Sequence, residues 1–304
     1  MAENSKINWT THTFNPWIGC TKVSPGCLHC YAETLMDTRY GRVKWGKGNP
    51  RSRTAPTNWK KVRSWNNAVS RAISEDRDRC PMELGDPANY AERPRVFCAS
   101  LADWLDAEVD ITWLADLLEL VGTTPNLDWL MLTKRPELWR ERLDAALEWC
   151  RRGPYTKYSV LAPWINEWLH GTPPANIWVG TTVEDQTRAD LRIPQLLAIP
   201  AKVRFLSCEP LIGSVTFDEY WLNNRLDPSK GKIDWVICGG ESGSGAREMH
   251  EVWAADLRAE CRDAHVAFWM KQMGGTPNPR HELHEMPETL RVRELPAGYA
   301  PGQT

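Results

Sequence analysis

Apolar residues along this chain come in short continuous runs, each ending in small, polar or charged residues. Six runs stand out: RVFCAS (95–100), WLMLTKRP (129–136), IWVGTTVED (177–185), VRFLSCEP (203–210), WVICGGES (235–242) and VAFWMKQMGG (266–275). Each opens with residues rich in Val, Ile, Leu, Phe or Trp, the pattern of strands buried on both faces. A further strand is expected within 11–17. Helical spacing fills several gaps. Trp113, Leu117, Leu118 and Val121 recur after Ile111; Leu138, Leu143, Ala146 and Leu147 recur in 136–150; Trp253, Leu257, Cys261 and Ala264 recur late in the chain. Strand alternating with helix predicts parallel β/α units, hence an α/β fold whose sheet is open or rolled into a full or partial barrel.

The ends of these strands carry the chemistry. In β/α barrels, ligands bind at the C-terminal ends of the strands. Here those ends hold Ser100 and Asp103, Thr133-Lys134-Arg135, Thr182 and Glu184, Cys208-Glu209, Gly239-Gly240-Glu241, and Lys271-Gln272. One polar strand end is an ordinary turn. Recurrence in every unit predicts a polar cavity at one mouth. Two segments break the repeat, 37–94 and 213–233. The tail 276–304, rich in prolines and charges, is expected to wrap the surface or fray. The expected organisation is one domain, 1–275, with an insertion at about 37–94.

Composition narrows the class. The chain has 304 residues, 42% of them hydrophobic and 25% charged, which are globular values. Its formal net charge of −2 excludes a globally basic surface. The first residues are polar, and no run approaches the ~18–20 apolar residues that a bilayer span requires. A cytoplasmic protein without a membrane partner is expected. The nine cysteines are odd in number and mostly far apart. In a reducing compartment they read as core residues or metal ligands, not disulfides.

Three of them cluster in NPWIGCTKVSPGCLHCYAE, as Cys20, Cys27 and Cys30. Gly19, Pro25 and Gly26 let this loop curl around a bound object. Three thiolates can hold three irons of a [4Fe–4S] cluster. The fourth iron stays open to chelate S-adenosylmethionine, whose reductive cleavage yields a 5′-deoxyadenosyl radical. The competing reading is a structural zinc site completed by His12 or His29. The other six cysteines (Cys80, Cys98, Cys150, Cys208, Cys238 and Cys261) lie mostly in apolar patterns and read as small buried hydrophobes.

The chain resembles a family of uncharacterised phage-borne and bacterial three-cysteine proteins that are radical-SAM-like. The resemblance rests on the cysteine block at 20–33, VFCASLADW, LDWLMLTKRPE, NIWVGTTVEDQ, VRFLSCEPLIG, DWVICGGESGSGAR and FWMKQMGG. It implies a radical-SAM-like partial TIM barrel, and Ser100 and Asp103, at the second-strand position, as cofactor contacts. The wider superfamily spaces its cysteines three residues and then two; here the spacing is six and then two. Its GGE motif follows the second strand, whereas Gly239, Gly240 and Glu241 follow the last run but one. These three, with Thr133, Lys134, Glu184 and Glu209, complete the candidate cofactor set.

A second charge pattern points to the substrate. Between Arg39 and Ser74 there are ten cations and no Asp or Glu, with Tyr40, Trp45, Trp59 and Trp65 interleaved. Cations neutralise phosphates and aromatic faces stack on bases. The plainer reading is a solvated loop balanced elsewhere. Arg51, Arg53, Trp59, Lys60 and Lys61, with Arg135 and Lys271 at strand ends, are the candidate substrate contacts. The function expected is a radical enzyme modifying or repairing a nucleic-acid base or nucleotide, reduced by a donor such as a flavodoxin or ferredoxin. A DNA- or RNA-binding protein with a structural metal loop is the alternative, and a further protein partner is compatible with either.

Overall fold

The computed structural model describes residues 1–79, 93–153, 158, 160–223, 231–243, 245–275 and 280–299. In chain order the elements begin with β1 (His12–Phe14), β2 (Trp17–Ile18), α1 (Tyr31–Glu33), β3 (Ser52–Arg53), α2 (Pro56–Arg79) and β4 (Arg95–Cys98). Then come α3 (Ile111–Gly122), β5 (Asp128–Thr133), α4 (Trp139–Arg152), α5 (Leu161–Leu169), β6 (Ile177–Thr182) and α6 (Gln186–Leu197). The chain continues with β7 (Val203–Cys208), α7 (Glu219–Leu222), β8 (Trp235–Gly239), α8 (Glu251–Asp263) and β9 (Ala267–Gln272). Seven strands pair in the order β1-β4-β5-β6-β7-β8-β9, every pair parallel. The sheet curls into a half-barrel, a partial TIM-barrel-like fold. All six apolar runs became strands, and β1 is the seventh.

Alternation along the strands sorts two cores. Outward residues such as Val96, Trp129, Val179, Leu206, Val236 and Phe268 pack under the helices. Inward residues Phe97, Leu130, Trp178, Phe205, Trp235, Ile237 and Trp269 fill the concave face around Trp9. This inner layer accounts for part of the chain's tryptophan content. Trp178 and Trp235 meet edge to face at 5.8 Å, and Trp235 meets Trp269 at 6.0 Å, favourable geometry for aromatic pairs. Gly180 occupies an inward position because a Cβ there would strike the Phe205 ring.

Helices form where apolar spacing meets a cap. Asp110 accepts from Thr112 N to start α3, and Asp185 accepts from Arg188 N to start α6, satisfying otherwise unpaired N–H groups. Leu117, Leu118 and Val121 bury one side of α3. The 37–94 segment does not stay outside the repeat. Its α2 connects two parallel-paired strands, β1 and β4, as a crossover requires; Val62 and Trp65 join the outer core. Polar positions outnumber apolar ones along α2, which hides its periodicity.

The termini close the half-barrel. Asn8 donates to Lys271 O and accepts from Trp269 Nε1 at 3.1 Å, which ties the N-terminal segment to β9. The tail does not fray over 290–294. Met270 N donates to Val292 O at 2.8 Å and Glu294 N to Phe268 O at 2.9 Å. Tyr299 reaches under the barrel to meet Trp178 at 4.5 Å. Both edge strands are thereby covered, since Ala2 bridges Thr13 on β1, which removes open templates for edge pairing.

One buried acid sets a pH dependence. Asp128, at the foot of β5, is buried with its Oδ1 lacking a hydrogen bond, 3.8 Å from Arg93. Burial pushes its carboxyl up to about 6, against the pull of Arg93 and Arg95. The folded state therefore binds a proton that the unfolded chain releases once pH exceeds about 4. Stability is expected to fall by about 2–3 kcal/mol as pH rises from about 4 through 6. Asp128→Asn should flatten this loss, read as the difference in urea midpoint between acidic and mildly alkaline buffer.

Candidate active site

The upper ends of the strands and the loop from Cys20 to Tyr31 enclose a cavity of about 210 Å³. Trp9, Phe97 and Leu132 form its apolar floor. Cys20, Cys27 and Cys30 all line it, and none is in a disulfide. Ala32, Met36, Trp45 and Leu101 form an apolar cup against which Cys20 and Cys30 pack.

The loop is built to hold this shape. β2 and β3 pair antiparallel, Trp17 opposite Arg53, and bring the chain back to the mouth. Gly19 follows at φ +113°, a conformation that L side chains rarely adopt, and its N–H donates to Leu101 O at 3.1 Å. A short helical turn, Pro25–Cys27, then carries Cys27.

Side-chain contacts fasten the loop to four strand ends. Arg135, after β5, donates from Nη1 and Nη2 to Cys20 Sγ at 3.6 and 3.5 Å. Ser24 Oγ donates to Glu184 Oε1, beyond β6, at 2.6 Å. Glu241, beyond β8, bonds His29 Nδ1 at 2.9 Å, and its partner Arg247 donates to Pro25 O at 3.1 Å. Tyr31 OH donates to Ser100 O, beyond β4, at 2.7 Å. Gly26 packs onto Glu184 so closely that a Cβ would overlap that side chain.

Charges in the mouth are mostly spent on one another. Asp103 accepts from Arg135 Nη1 at 2.9 Å, Thr133 Oγ1 at 2.7 Å and Lys134 N at 2.9 Å. Lys271 pairs with Glu209. Burial alone would raise the Glu241 carboxyl, but donors from Arg247 and His29 hold it down at about 2. Lys134 Nζ donates only to the Thr182 hydroxyl, at 3.1 Å, among the described residues. Burial pushes the Cys20 thiol up to about 12 against the opposing pull of Arg135, and burial raises Cys30 as well. Metal ligation by either would release its proton.

Residues 4–294 match the family described as Protein of unknown function (DUF5131). The chain belongs to this family. No curated protein and no solved structure matches it.

The DUF5131 mouth gathers most of the strand-end residues singled out in sequence. Ser100, Asp103, Thr133, Lys134, Arg135, Glu209, Gly240, Glu241 and Lys271 all line the cavity with the cysteines. Several have structural partners that change their expected roles. The oxygens of Asp103 and Glu241 are filled by protein donors, so neither offers a free carboxylate to a cofactor. Glu184 is fully buried, paired to Arg192 at 3.1 Å, and does not line the cavity. Gly239 does not line the cavity; Gly240 is fixed by its backbone packing on Gly274.

Arg51, in the basic stretch, is a correction, and its neighbours are partly engaged. Arg51 is buried and bonded to Asp106 at 2.8 Å and to the carbonyls of Gly46 and Asn49. It braces the cysteine loop from behind and cannot reach a substrate. Arg53 pairs with Asp116 at 2.6 Å and stacks over Trp59 at 4.7 Å. Trp59 in turn packs edge-on against Phe14 at 5.2 Å. Lys61 pairs with Glu3 at 2.7 Å, and Trp65 stacks on His12 at 4.2 Å. Lys60 is exposed but, like these residues, does not line the cavity. Arg51, Arg53, Lys61 and Arg63 find their acids in distant parts of the chain.

Sequence reasoning passed over Tyr31, Ser24 and Arg247, whose role is to fasten the loop. Arg247 carried a signal, six residues beyond Glu241 in a glycine-rich turn. His12 lies away from the cavity, and no three His, Cys, Asp or Glu side chains among the described residues form a group able to hold a metal ion. The described cysteines outside the loop, Cys98, Cys150, Cys208, Cys238 and Cys261, are buried; Cys80 lies outside the described residues. No helix among the described residues is long and apolar enough to cross a membrane.

Proposed function

We propose that this chain holds a [4Fe–4S] cluster through Cys20, Cys27 and Cys30 and works with S-adenosylmethionine as a cytoplasmic radical enzyme, in line with the radical-SAM-like phage and bacterial proteins it resembles. The observation that carries this reading is the placement of three free cysteines around one cavity at the C-terminal mouth of a parallel half-barrel. In a cluster each thiolate ligates its own iron, so three sulfurs need not converge on a point. The apolar cup and the Arg135 donors suit a sulfur-rich, weakly solvated group.

When bound, the cluster with its open iron supplies the electron that cleaves S-adenosylmethionine. The chain's residues supply the setting. Trp9, Phe97 and Leu132 keep water from the floor. Lys134 presents an ammonium to an anionic group, and the Lys271–Glu209 ion pair lines the rim. The substrate proposed is a nucleic-acid base or nucleotide, modified or repaired, with a flavodoxin- or ferredoxin-like electron donor. The support left for it is Arg39 and Arg42 flanking the exposed Tyr40 ring at 5.5 and 5.4 Å.

The test is anaerobic purification followed by iron and sulfide analysis and a deoxyadenosine assay with reductant. About four irons and four sulfides per chain, with 5′-deoxyadenosine released, are expected. Colourless protein carrying stoichiometric zinc would overturn the reading. A retained cluster without cleavage, together with salt-sensitive DNA or RNA binding, would mark a structural metal loop instead.

A further inference from the structure

The geometry points to Arg135 as a positioning residue that sets the reduction potential of the metal group held by Cys20, with Asp103 as its counterweight. This rests on the cluster reading above. Arg135 is buried, yet both of its terminal nitrogens lie within hydrogen-bonding reach of one sulfur, Cys20 Sγ. The guanidinium is not free to turn away. Nη1 is held by Asp103 Oδ2 at 2.9 Å and Nη2 by Thr21 O at 2.7 Å. Asp103 is itself fixed by Thr133 Oγ1, Lys134 N and Leu105 N. The donors are therefore in place before any electron arrives.

The physical consequence has a definite sign. Reduction adds one negative charge to an iron–sulfur group. A cation and two N–H donors at a ligating sulfur favour the more negative form, and in a weakly solvated pocket their effect is strong. Arg135 thus raises the potential. Asp103 carries the opposite charge close to the same atoms and moderates that effect. A lysine would keep the charge but not the planar fork that serves Cys20, Asp103 and Thr21 together.

The test compares midpoint potentials of anaerobically reconstituted full-length chains, by redox titration followed by electron paramagnetic resonance. Arg135→Gln is expected to shift the one-electron reduction equilibrium about tenfold toward the oxidised form, a fall of about 59 mV. Asp103→Asn is expected to shift it the other way. Arg135→Lys should lie between Arg135→Gln and the wild type, and is read in place of Arg135→Gln if that variant takes up no cluster. Potentials that stay within twofold of the wild-type equilibrium, or that move in one direction for both Arg135 and Asp103 variants, would overturn the assignment. Failure of the wild-type chain itself to take up iron and sulfide would instead overturn the cluster reading on which it rests.

Discussion

Replacing Cys27 with Ala is expected to weaken iron and sulfide binding by more than about a hundredfold in affinity while leaving the fold intact. Groups that merely orient a metal ligand typically cost ten- to a hundredfold in affinity when removed; a ligand itself should cost more. The fold should survive because Cys27 is half-buried and, among the described residues, its side chain has one polar neighbour, Ser24 Oγ at 3.7 Å. No buried polar group is left unpaired, so the stability change should stay near ±0.5 kcal/mol. Cys208→Ala is the matched control. Cys208 is buried in the outer core, so its loss should lower the urea midpoint and leave iron content unchanged. Full iron retention in Cys27→Ala would sink the assignment of that residue as a ligand.

Glu184→Ala is expected to be the most destabilising change near the mouth, at about 3–5 kcal/mol. Glu184 and Arg192 are both buried and pair at 3.1 Å. Removing the carboxylate strands the guanidinium in the interior with only Thr182 O, at 2.8 Å, as a described partner. The same change cuts the Ser24 contact and opens space beneath Gly26, so the cysteine loop should loosen. Urea unfolding measures the first effect, and the rate at which a thiol reagent labels Cys27 measures the second. Glu184→Gln keeps an acceptor for Ser24 and should slow labelling relative to Glu184→Ala. Equal stability of Glu184→Ala and wild type would contradict this account of the pair.

The barrel was legible because parallel strands buried on both faces leave an uninterrupted apolar run, as in 177–182 and 235–239. The cysteine loop was legible because its ligand candidates are close in sequence. What could not be read were relations across long separations. The acids that neutralise Arg51, Arg53 and Arg63 are Asp106, Asp116 and Glu119, each more than fifty residues away. A local count of charges could therefore not tell these paired arginines from the cations around them that face solvent. Glu184 and Glu241 failed differently: their place at strand ends was legible, but their partners Arg192 and Arg247 lie only eight and six residues on, and sequence reasoning passed over both. The helix α2 escaped because its apolar residues are sparse. The tail escaped because its contacts with β9 are largely main-chain hydrogen bonds, which leave little trace in residue type.

The way the half-barrel is sealed has a consequence for traffic. Its base is filled by Trp9, Trp178, Trp235 and Tyr299, and its seam is stitched by Asn8 to β9. Among the described residues, the cavity beneath the cysteine loop is thus closed from below by aromatic rings. Under the radical reading proposed above, a molecule to be transformed reaches the cavity from the side of the cysteine loop, whereas an electron needs only a short path through protein to the cysteines and need not wait for it.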